Sequence, residues 1–160
     1  MTDLKKLFEH TLMDVYFAEK QILKALPKMA AKAKSTELKK AFQDHMAQTE
    51  GHVSRLEKIF KMLGKPAKGV ECEAIKGLLK EGDEVAETFA GSSALEAGMI
   101  GIAQAVEHYE MARYGALRTW AEEIGMEDAA ELLEETLLEE RETDQLLTKL
   151  AETQINQMAE

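Results

Sequence analysis

Proline, cysteine and aromatic residues are scarce in this chain, and long apolar runs are absent. The 160 residues include two prolines, one cysteine and 6% aromatic residues. A single cysteine excludes a disulfide within the chain and is typical of proteins from a reducing compartment. No uncharged run has the length of a membrane span, and no apolar signal-peptide core lies near the N-terminus. We therefore expect a cytoplasmic protein.

Basic residues are too few to balance the acidic ones. The chain carries 20 lysines and arginines against 30 aspartates and glutamates, which gives a net charge of −10. Nucleic-acid-binding proteins present a basic patch, and anionic membrane surfaces attract lysine and arginine. We therefore expect neither nucleic acid nor a membrane as a partner, whereas cations are attracted to an acidic protein.

The residues that are abundant favour helices. Alanine, leucine, glutamate, lysine and methionine dominate, and apolar residues recur every three or four positions in long segments. This pattern predicts an all-α protein that forms a single domain over 1–160. Four long helices are predicted over 2–34, from Ser35-Thr36 to Gly64, over 93–124 and over 126–157. Pro27 predicts a kink or a boundary in the first of them.

The lengths of the connections predict the topology. The first two helices, and the last two, are separated by only a few residues, so each pair should form an antiparallel hairpin. Residues 65–94 form a long connection with a short extra helix over 71–89. A connection of about 30 residues can return along a helix of about 45 Å. The predicted architecture is a ferritin-like four-helix bundle of two antiparallel hairpins with one long crossover.

Carboxylates interrupt or flank the apolar stripes of all four long helices. In an antiparallel hairpin, residues equally far from the turn lie at the same height, and residues at i, i+3 or i, i+4 share a face. Six acids at matched height could thus meet at the middle of the bundle: Glu19, Glu50, Glu107, Glu110, Glu140 and Asp144.

Six buried carboxylates would repel one another and lose their hydration. Two divalent cations would cancel four of the charges, and carboxylate oxygens suit iron, manganese or magnesium. The alternative interpretation is structural, because a single glutamate in so acidic a chain more often lies on a solvated helix face.

The other polar candidates favour structural roles. His45 lies on an inner face and is interpreted as a core histidine with a hydrogen-bond partner. His52 is expected on the surface, because it is turned about 200° from Glu50. His108 is expected to form an interhelical bond or a dimer contact. Tyr114 is expected to be a core tyrosine that bonds a carboxylate.

Several stretches of the sequence resemble a known family. DVYFAEKQILKALPKMA, TEGHVSRLE, CEAIKGLLKE, AQAVEHYEMARYGALRTWAEEIG and EETLLEERETDQLLTKLA are similar to the YciE/YciF-type bacterial stress-response proteins. These form a branch of the ferritin-like superfamily that is related to rubrerythrin. The resemblance covers almost the whole chain, and the VEHYE…YG string is its most specific part.

The resemblance implies a rubrerythrin-like site for two metal ions, a homodimer, and a role in stress responses that include oxidative stress. Glu19 stands at the family's first-helix position, and Glu107 and Glu110 stand at its third-helix motif. Glu50 begins the second-helix motif, but Val53 stands where a histidine is expected. In the fourth helix Glu140 matches, and Asp144 stands where a histidine often occurs.

Two functions follow from these observations. The first is a dimetal carboxylate protein that oxidises Fe(II) with peroxide or dioxygen, with iron as the expected metal and manganese or zinc as alternatives. The second is a stress-induced helical bundle without turnover that acts as a structural or interaction dimer.

Overall fold

The computed structural model describes residues 2–160, and these residues form helices and no strand. The five main helices are α1 (Asp3–Lys32), α2 (Thr36–Met62), α3 (Glu73–Thr88), α4 (Leu95–Glu123) and α5 (Glu127–Leu150). The all-α prediction is confirmed. Over the described residues, each helix is too short or too polar to cross a membrane.

Side chains satisfy the free backbone N–H groups where the first three helices begin. The hydroxyl of Thr2 accepts from Lys5 N at the start of α1, and that of Ser35 accepts from Leu38 N at the start of α2, each at 3.3 Å. The thiol sulfur of Cys72 accepts from Ile75 N at 3.4 Å at the start of α3. Hydroxyl caps such as those of Thr2 and Ser35 contribute about 1 kcal/mol each, whereas a thiol sulfur is a weaker acceptor.

The long helices pack as a square of four. α1 pairs with α2 and α4 pairs with α5, while α2 also contacts α5 and α1 also contacts α4. These are the two antiparallel hairpins of the predicted ferritin-like bundle. Residues 63–94 link the end of α2 to the start of α4 at the opposite end, and this crossover carries α3.

The crossover is fastened to the outside of the bundle. Val70 N donates to Met13 O at 3.2 Å, and Gly69 lies so close to Phe17 that a Cβ there would come within 2.9 Å of the Phe17 side chain. α3 then packs on α4 and α1. Ile75 and Cys72 are both buried and belong to the core at that end of the bundle.

A buried glutamate joins the two hairpins. Glu96, in the first turn of α4, accepts hydrogen bonds from the backbone N–H groups of Lys34 and Ser35 at 2.8 and 2.7 Å. Its carboxylate therefore occupies the α1–α2 turn and satisfies two donors that the end of α1 and the start of α2 leave free. This contact sets the height of α4 relative to the first hairpin.

The apolar core is divided into two clusters. One surrounds Ile22, Phe42 and Leu147, near the start of α4. The other surrounds Phe8, Leu56 and Leu133, near the start of α1 and the end of α4. A polar layer therefore lies between them at mid-bundle, where all four long helices contribute side chains.

Three details differ from the prediction. α1 continues through Pro27 to Lys32, so proline marks no boundary. The last helix changes to a π-helical turn over Ala151–Ile155 before a final α-helical turn, and no sequence signal indicates that change. Gly91-Ser92-Ser93 is expected from the sequence to cap α4, but no side chain caps its first turn, although Ser92 Oγ accepts from Ala94 N just before it.

The contact between α3 and α4 predicts that alanine at two glycines of α4 changes the free energy of unfolding differently. A Cβ at Gly98 would lie 2.7 Å from Val85 Cγ1, whereas a Cβ at Gly101 meets nothing within 4 Å. We expect Gly101→Ala to raise the free energy of unfolding by about 0.5–1 kcal/mol. Gly98→Ala should lose that gain, because α3 must move. Urea denaturation of both variants measures this, and equal gains would contradict the close approach.

Candidate metal centre

Six ionisable side chains converge in the polar layer between the two apolar clusters. α1 and α5 each contribute one, and α2 and α4 each contribute two. All six are at most 5% exposed: Glu19, His45, His52, Glu107, Glu110 and Glu140. Acidic residues are rarely buried to this extent without a partner or a metal.

The inward face of α2 explains its two histidines. Leu38, His45, His52 and Ile59 follow one another at intervals of seven and are all buried. Seven residues are about two helical turns, so these positions lie along one face. Apolar residues at both ends of this row pack in the two cores, and the histidines occupy the polar layer between them.

The donor atoms form two groups that share one residue. Glu19, His52, Glu110 and Glu140 offer four atoms within 4.8 Å of one another, and His45, Glu107 and Glu140 offer three more. His52 Nδ1 lies 2.8 Å from Glu140 Oε1 and 3.6 Å from Glu19 Oε1. His45 Nε2 lies 2.8 Å from Glu107 Oε1. Donors about 2.1 Å from one ion and at right angles to each other lie about 3 Å apart.

Most of these donor atoms have no hydrogen-bond partner. Within residues 2–160, ten buried nitrogen and oxygen atoms of the six side chains make no hydrogen bond. Four of the ten lie within 4 Å of an imidazole or carboxylate partner: His45 Nε2, both ring nitrogens of His52, and Glu140 Oε1. The other six, which include both oxygens of Glu110, form neither a hydrogen bond nor such a contact within this part of the chain. Unpaired buried polar atoms are rare in native proteins and call for an explanation such as an ion. The arrangement therefore has the atoms that a metal centre needs.

The protons of the layer are distributed unevenly. Burial raises the pKa of Glu107 to about 7 and that of Glu140 to about 8, with repulsion from neighbouring carboxylates adding to the shift. The same two causes raise the pKa of Glu110 well above its usual value. Burial also opposes ionisation of Glu19, but the nearby His52 outweighs it and lowers the pKa of Glu19.

His52 is the cation of the layer. Burial disfavours its charged form, but Glu140 and Glu19 outweigh burial and raise the pKa of His52 to about 10. Without a metal, therefore, three carboxylic acids with raised pKa values surround one ion pair. Metal binding must displace these protons, because the ligands of a metal are deprotonated.

Neighbouring side chains hold Glu19 and His52 in their orientations within the layer. Tyr114 is fully buried and donates to Glu19 Oε1 at 2.7 Å, as predicted for a core tyrosine that bonds a carboxylate. The outer ring nitrogen of His52, Nε2, lies 3.7 Å from Glu139, which pairs with Arg55 at 2.5 Å. A carboxylate behind a histidine holds the ring with its other nitrogen toward a metal.

Four of the six predicted site residues meet in the layer: Glu19, Glu107, Glu110 and Glu140. Glu50 does not, because α2 turns it to the exposed side. Asp144 also lies outside, where its carboxylate is 3.2 Å from His108 Nε2 and accepts from Gln104. His108 thus forms the interhelical contact that was expected of it.

Sequence reasoning placed His52 on the surface, whereas the structure buries it completely. The error follows from Glu50. Once Glu50 was assigned to the inner face, the 100° rotation per residue turned His52 outward. The signal that could have found it is the seven-residue interval between His45 and His52, together with buried Leu38 and Ile59. His45 is buried beside a carboxylate, as predicted for a core histidine.

The sequence profile described as a domain of unknown function, DUF892, matches residues 3–160. The chain belongs to this family. It is 40% identical to protein YciF of Escherichia coli K12 over 161 residues, which cover all of this chain and 97% of YciF. The family resemblance read from the sequence is therefore confirmed, and the chain is related to a bacterial stress protein.

Solved structures of relatives share the fold. The crystal structure of the E. coli stress protein YciF matches with a TM-score of 0.91 and covers 98% of this chain and 99% of YciF. YcfI of Rhodopseudomonas palustris, described provisionally as a structural protein, is 44% identical with a TM-score of 0.89 over 92% of this chain and 94% of YcfI. A Xanthomonas campestris protein at 21% identity shares the fold with a TM-score of 0.77, over 98% and 96% of the two chains.

The pKa shifts predict how pH affects stability without metal. Glu107, Glu140 and His52 have raised pKa values, so between about pH 5 and pH 9 the folded state holds more protons than the unfolded chain. The free energy of unfolding of the metal-free protein should therefore fall as the pH rises through this window. The lowered pKa of Glu19 has an effect on the free energy of unfolding only below about pH 4.5, because 4.5 is the usual pKa of a glutamate.

Urea denaturation in the presence of a chelator, at several pH values, measures this slope. Glu140→Gln removes one of the titrating groups and weakens the shift of His52, so it should flatten the slope. Glu131→Gln, at an exposed position of the same helix, is the control and should keep the wild-type slope. A stability that rises with pH in metal-free wild type would contradict the assigned pKa directions.

Proposed function

We propose that this protein binds two divalent metal ions in the layer between its apolar cores. The observation that carries the proposal is the convergence of ten buried donor atoms without hydrogen bonds, from four helices and in two groups that share Glu140. Over residues 2–160, six of the ten also lack an imidazole–carboxylate contact. Charge supports it as well. Two divalent cations balance the four carboxylates of Glu19, Glu107, Glu110 and Glu140, and neutral histidines complete the donor set.

The two groups differ in their ligands. Glu19, His52 and Glu110 would hold one ion, and His45 and Glu107 would hold the other, with Glu140 shared between them. Carboxylate oxygens combined with imidazole nitrogens suit iron and manganese, and zinc accepts the same ligands. Iron is the metal we propose, since it also gives the site a chemical activity.

The proposed activity is oxidation of Fe(II) by a small oxidant. Two Fe(II) ions give up one electron each, and hydrogen peroxide takes both electrons with two protons and leaves as two molecules of water. Dioxygen is the alternative oxidant.

The metal proposal predicts different effects of alanine at two glutamates, one in the layer and one at the surface. Wild type loaded anaerobically with Fe(II) and desalted should retain two ions per chain. Glu140→Ala removes the shared ligand and should lose both ions. Glu50→Ala, an exposed glutamate, should retain two. Elemental analysis of the three proteins measures the number of ions per chain. Wild type without bound iron, manganese or zinc would refute the proposal.

The histidines predict an intermediate stoichiometry. His45→Ala should retain one ion, because the four-atom group with His52 is left complete. His52→Ala should lose the ion of that group.

Metal binding also predicts a gain in stability. In wild type, a metal present at about 100 times its dissociation constant should add about 2.7 kcal/mol to the free energy of unfolding. Thermal unfolding with and without metal measures this gain, and equal gains in wild type and Glu140→Ala would place the metal elsewhere.

The redox part has its own test. Fe(II) mixed with the wild type and peroxide should be oxidised faster than in buffer, as followed by the absorbance of Fe(III). With Glu140→Ala the rate of Fe(II) oxidation should equal the rate in buffer, and with Glu50→Ala it should equal the rate with wild type. Bound iron that is oxidised no faster than free iron would remove the activity and leave a metal-binding bundle without turnover. The structural alternative predicts instead that metal adds no thermal stability. A homodimer and a cytoplasmic location stay predictions.

A further inference from the structure

A groove lined by lysines lies between α1 and α3. It has a volume of about 450 Å³ and is lined along α1 by Lys24, Lys28 and Lys32 and along α3 by Lys76 and Lys80, with Asp83 as the one acidic residue among the described residues of its lining. All five are exposed. The volume is within the range of small-molecule sites in proteins. The groove is separate from the candidate metal centre and includes none of its six residues.

This concentration of positive charge is unusual for the chain. Five of its 20 basic residues line one groove of a protein with a net charge of −10. Over residues 2–160, Lys76 alone among the five lies within 4 Å of a carboxylate, from Glu71 and Glu73. Like charges at i, i+4 destabilise a helix by about 0.2–0.5 kcal/mol per pair. The folded protein thus carries a local repulsion that an anion would relieve.

The floor of the groove is apolar. Between the two rows of lysines lie side chains that would bind hydrocarbon and repel a hydrated anion: Ala25, Met29, Leu79, Ala86, Met99 and Ile102. A free inorganic anion gains nothing from such a floor. A ligand with an anionic head and an apolar tail uses both surfaces.

The groove and a smaller cavity beside the metal centre share three lining residues. A second cavity of about 20 Å³, room for about one water-sized group, is lined by Ala25, Met29 and Leu79 together with His45 and Glu107. The first three also line the groove. Met29 and Leu79 are only half-buried, and methionine adapts its shape readily to a bound chain. An alkyl tail on the floor therefore points toward the His45–Glu107 end of the layer.

We propose that this groove binds a long-chain alkyl carboxylate, with its head on Lys28 and Lys80 and its tail across Met29 and Leu79 toward His45. The proposal concerns binding and requires no metal. Its test therefore uses metal-free protein, so that its failure and the failure of the proposed metal centre are separate results.

A second copy of the chain does not fit this groove as a symmetric partner. Most protein dimers are two-fold symmetric and bring the same patch of both copies together. Two such grooves facing each other would oppose lysine rows of the same sign. The combination of lysine rim, apolar floor and a volume of about 450 Å³ favours a small amphipathic anion.

The first experiment is calorimetric titration of the metal-free full chain with dodecanoate below its critical micelle concentration. We expect saturable binding of about one molecule per chain. Butanoate, which has the head without a long tail, and the dodecyltrimethylammonium cation, which has the tail with the opposite charge, should each bind at least about tenfold more weakly. Equal binding of all three would overturn the proposal.

Charge reversal tests the lysines. Lys28→Glu combined with Lys80→Glu should weaken dodecanoate binding about tenfold or more. The matched control is Lys39→Glu with Lys58→Glu, which makes the same change of net charge at exposed positions of α2 and should bind as wild type does. Equal losses in both double variants would show a general charge effect and overturn the groove assignment.

Methyl NMR of the methionines locates the tail without mutation. Met29 and Met99 line the groove, whereas Met13, Met111 and Met126 pack on the core at the other end. Dodecanoate should shift the first two signals and leave the other three in place. Shifts at Met13 or Met111 without shifts at Met29 would overturn the proposal.

Sedimentation with phosphatidylglycerol vesicles tests the other source of an anionic head. Lysine-dependent sedimentation in the absence of dodecanoate binding would also overturn the proposal, because the groove would then be a membrane contact.

Discussion

The burial of four carboxylates and two histidines in one layer is the constraint on which the rest of the structure depends. Charges removed from water must be neutralised by protons, by opposite charges or by ions, and each costs several kcal/mol when it is not. Without metal, the raised pKa values of Glu107, Glu110 and Glu140 and the ion pair of Glu19 with His52 supply that neutralisation. Two divalent cations, as proposed, would supply it more completely, because they would also occupy donor atoms that lack a hydrogen bond.

The remainder of the bundle holds this layer in place. Apolar clusters above and below it pack the same four helices, so each helix is fixed on both sides of its polar residues. Glu96 sets the height of α4 against the α1–α2 turn through two backbone hydrogen bonds. The crossover closes the outside through Val70 and Gly69 on α1. Stability therefore comes from the apolar cores, and the buried polar layer lowers it.

The two charged regions of the molecule have opposite signs and different surroundings. The carboxylates lie at mid-bundle, where protons or cations must balance them, and the lysines line an open groove where water and salt screen them. Ala25, Met29 and Leu79 lie on the boundary of both the groove and the inner cavity beside His45. A bound alkyl chain and a bound metal would thus be neighbours, although each is recognised by its own set of residues.

The sequence by itself determined the helices, the hairpin topology and four of the buried acids, because helical periodicity and connection lengths are local properties of the chain. It did not determine which side of α2 faces inward. One residue of error rotates a helix by about 100°, enough to exchange Glu50 for His52. Only packing against α1, α4 and α5 decided that His45 and His52 enter the layer and that Asp144 remains outside with His108. The lysine groove also arises only from tertiary structure, since α3 and α1 are distant in sequence and meet through the crossover.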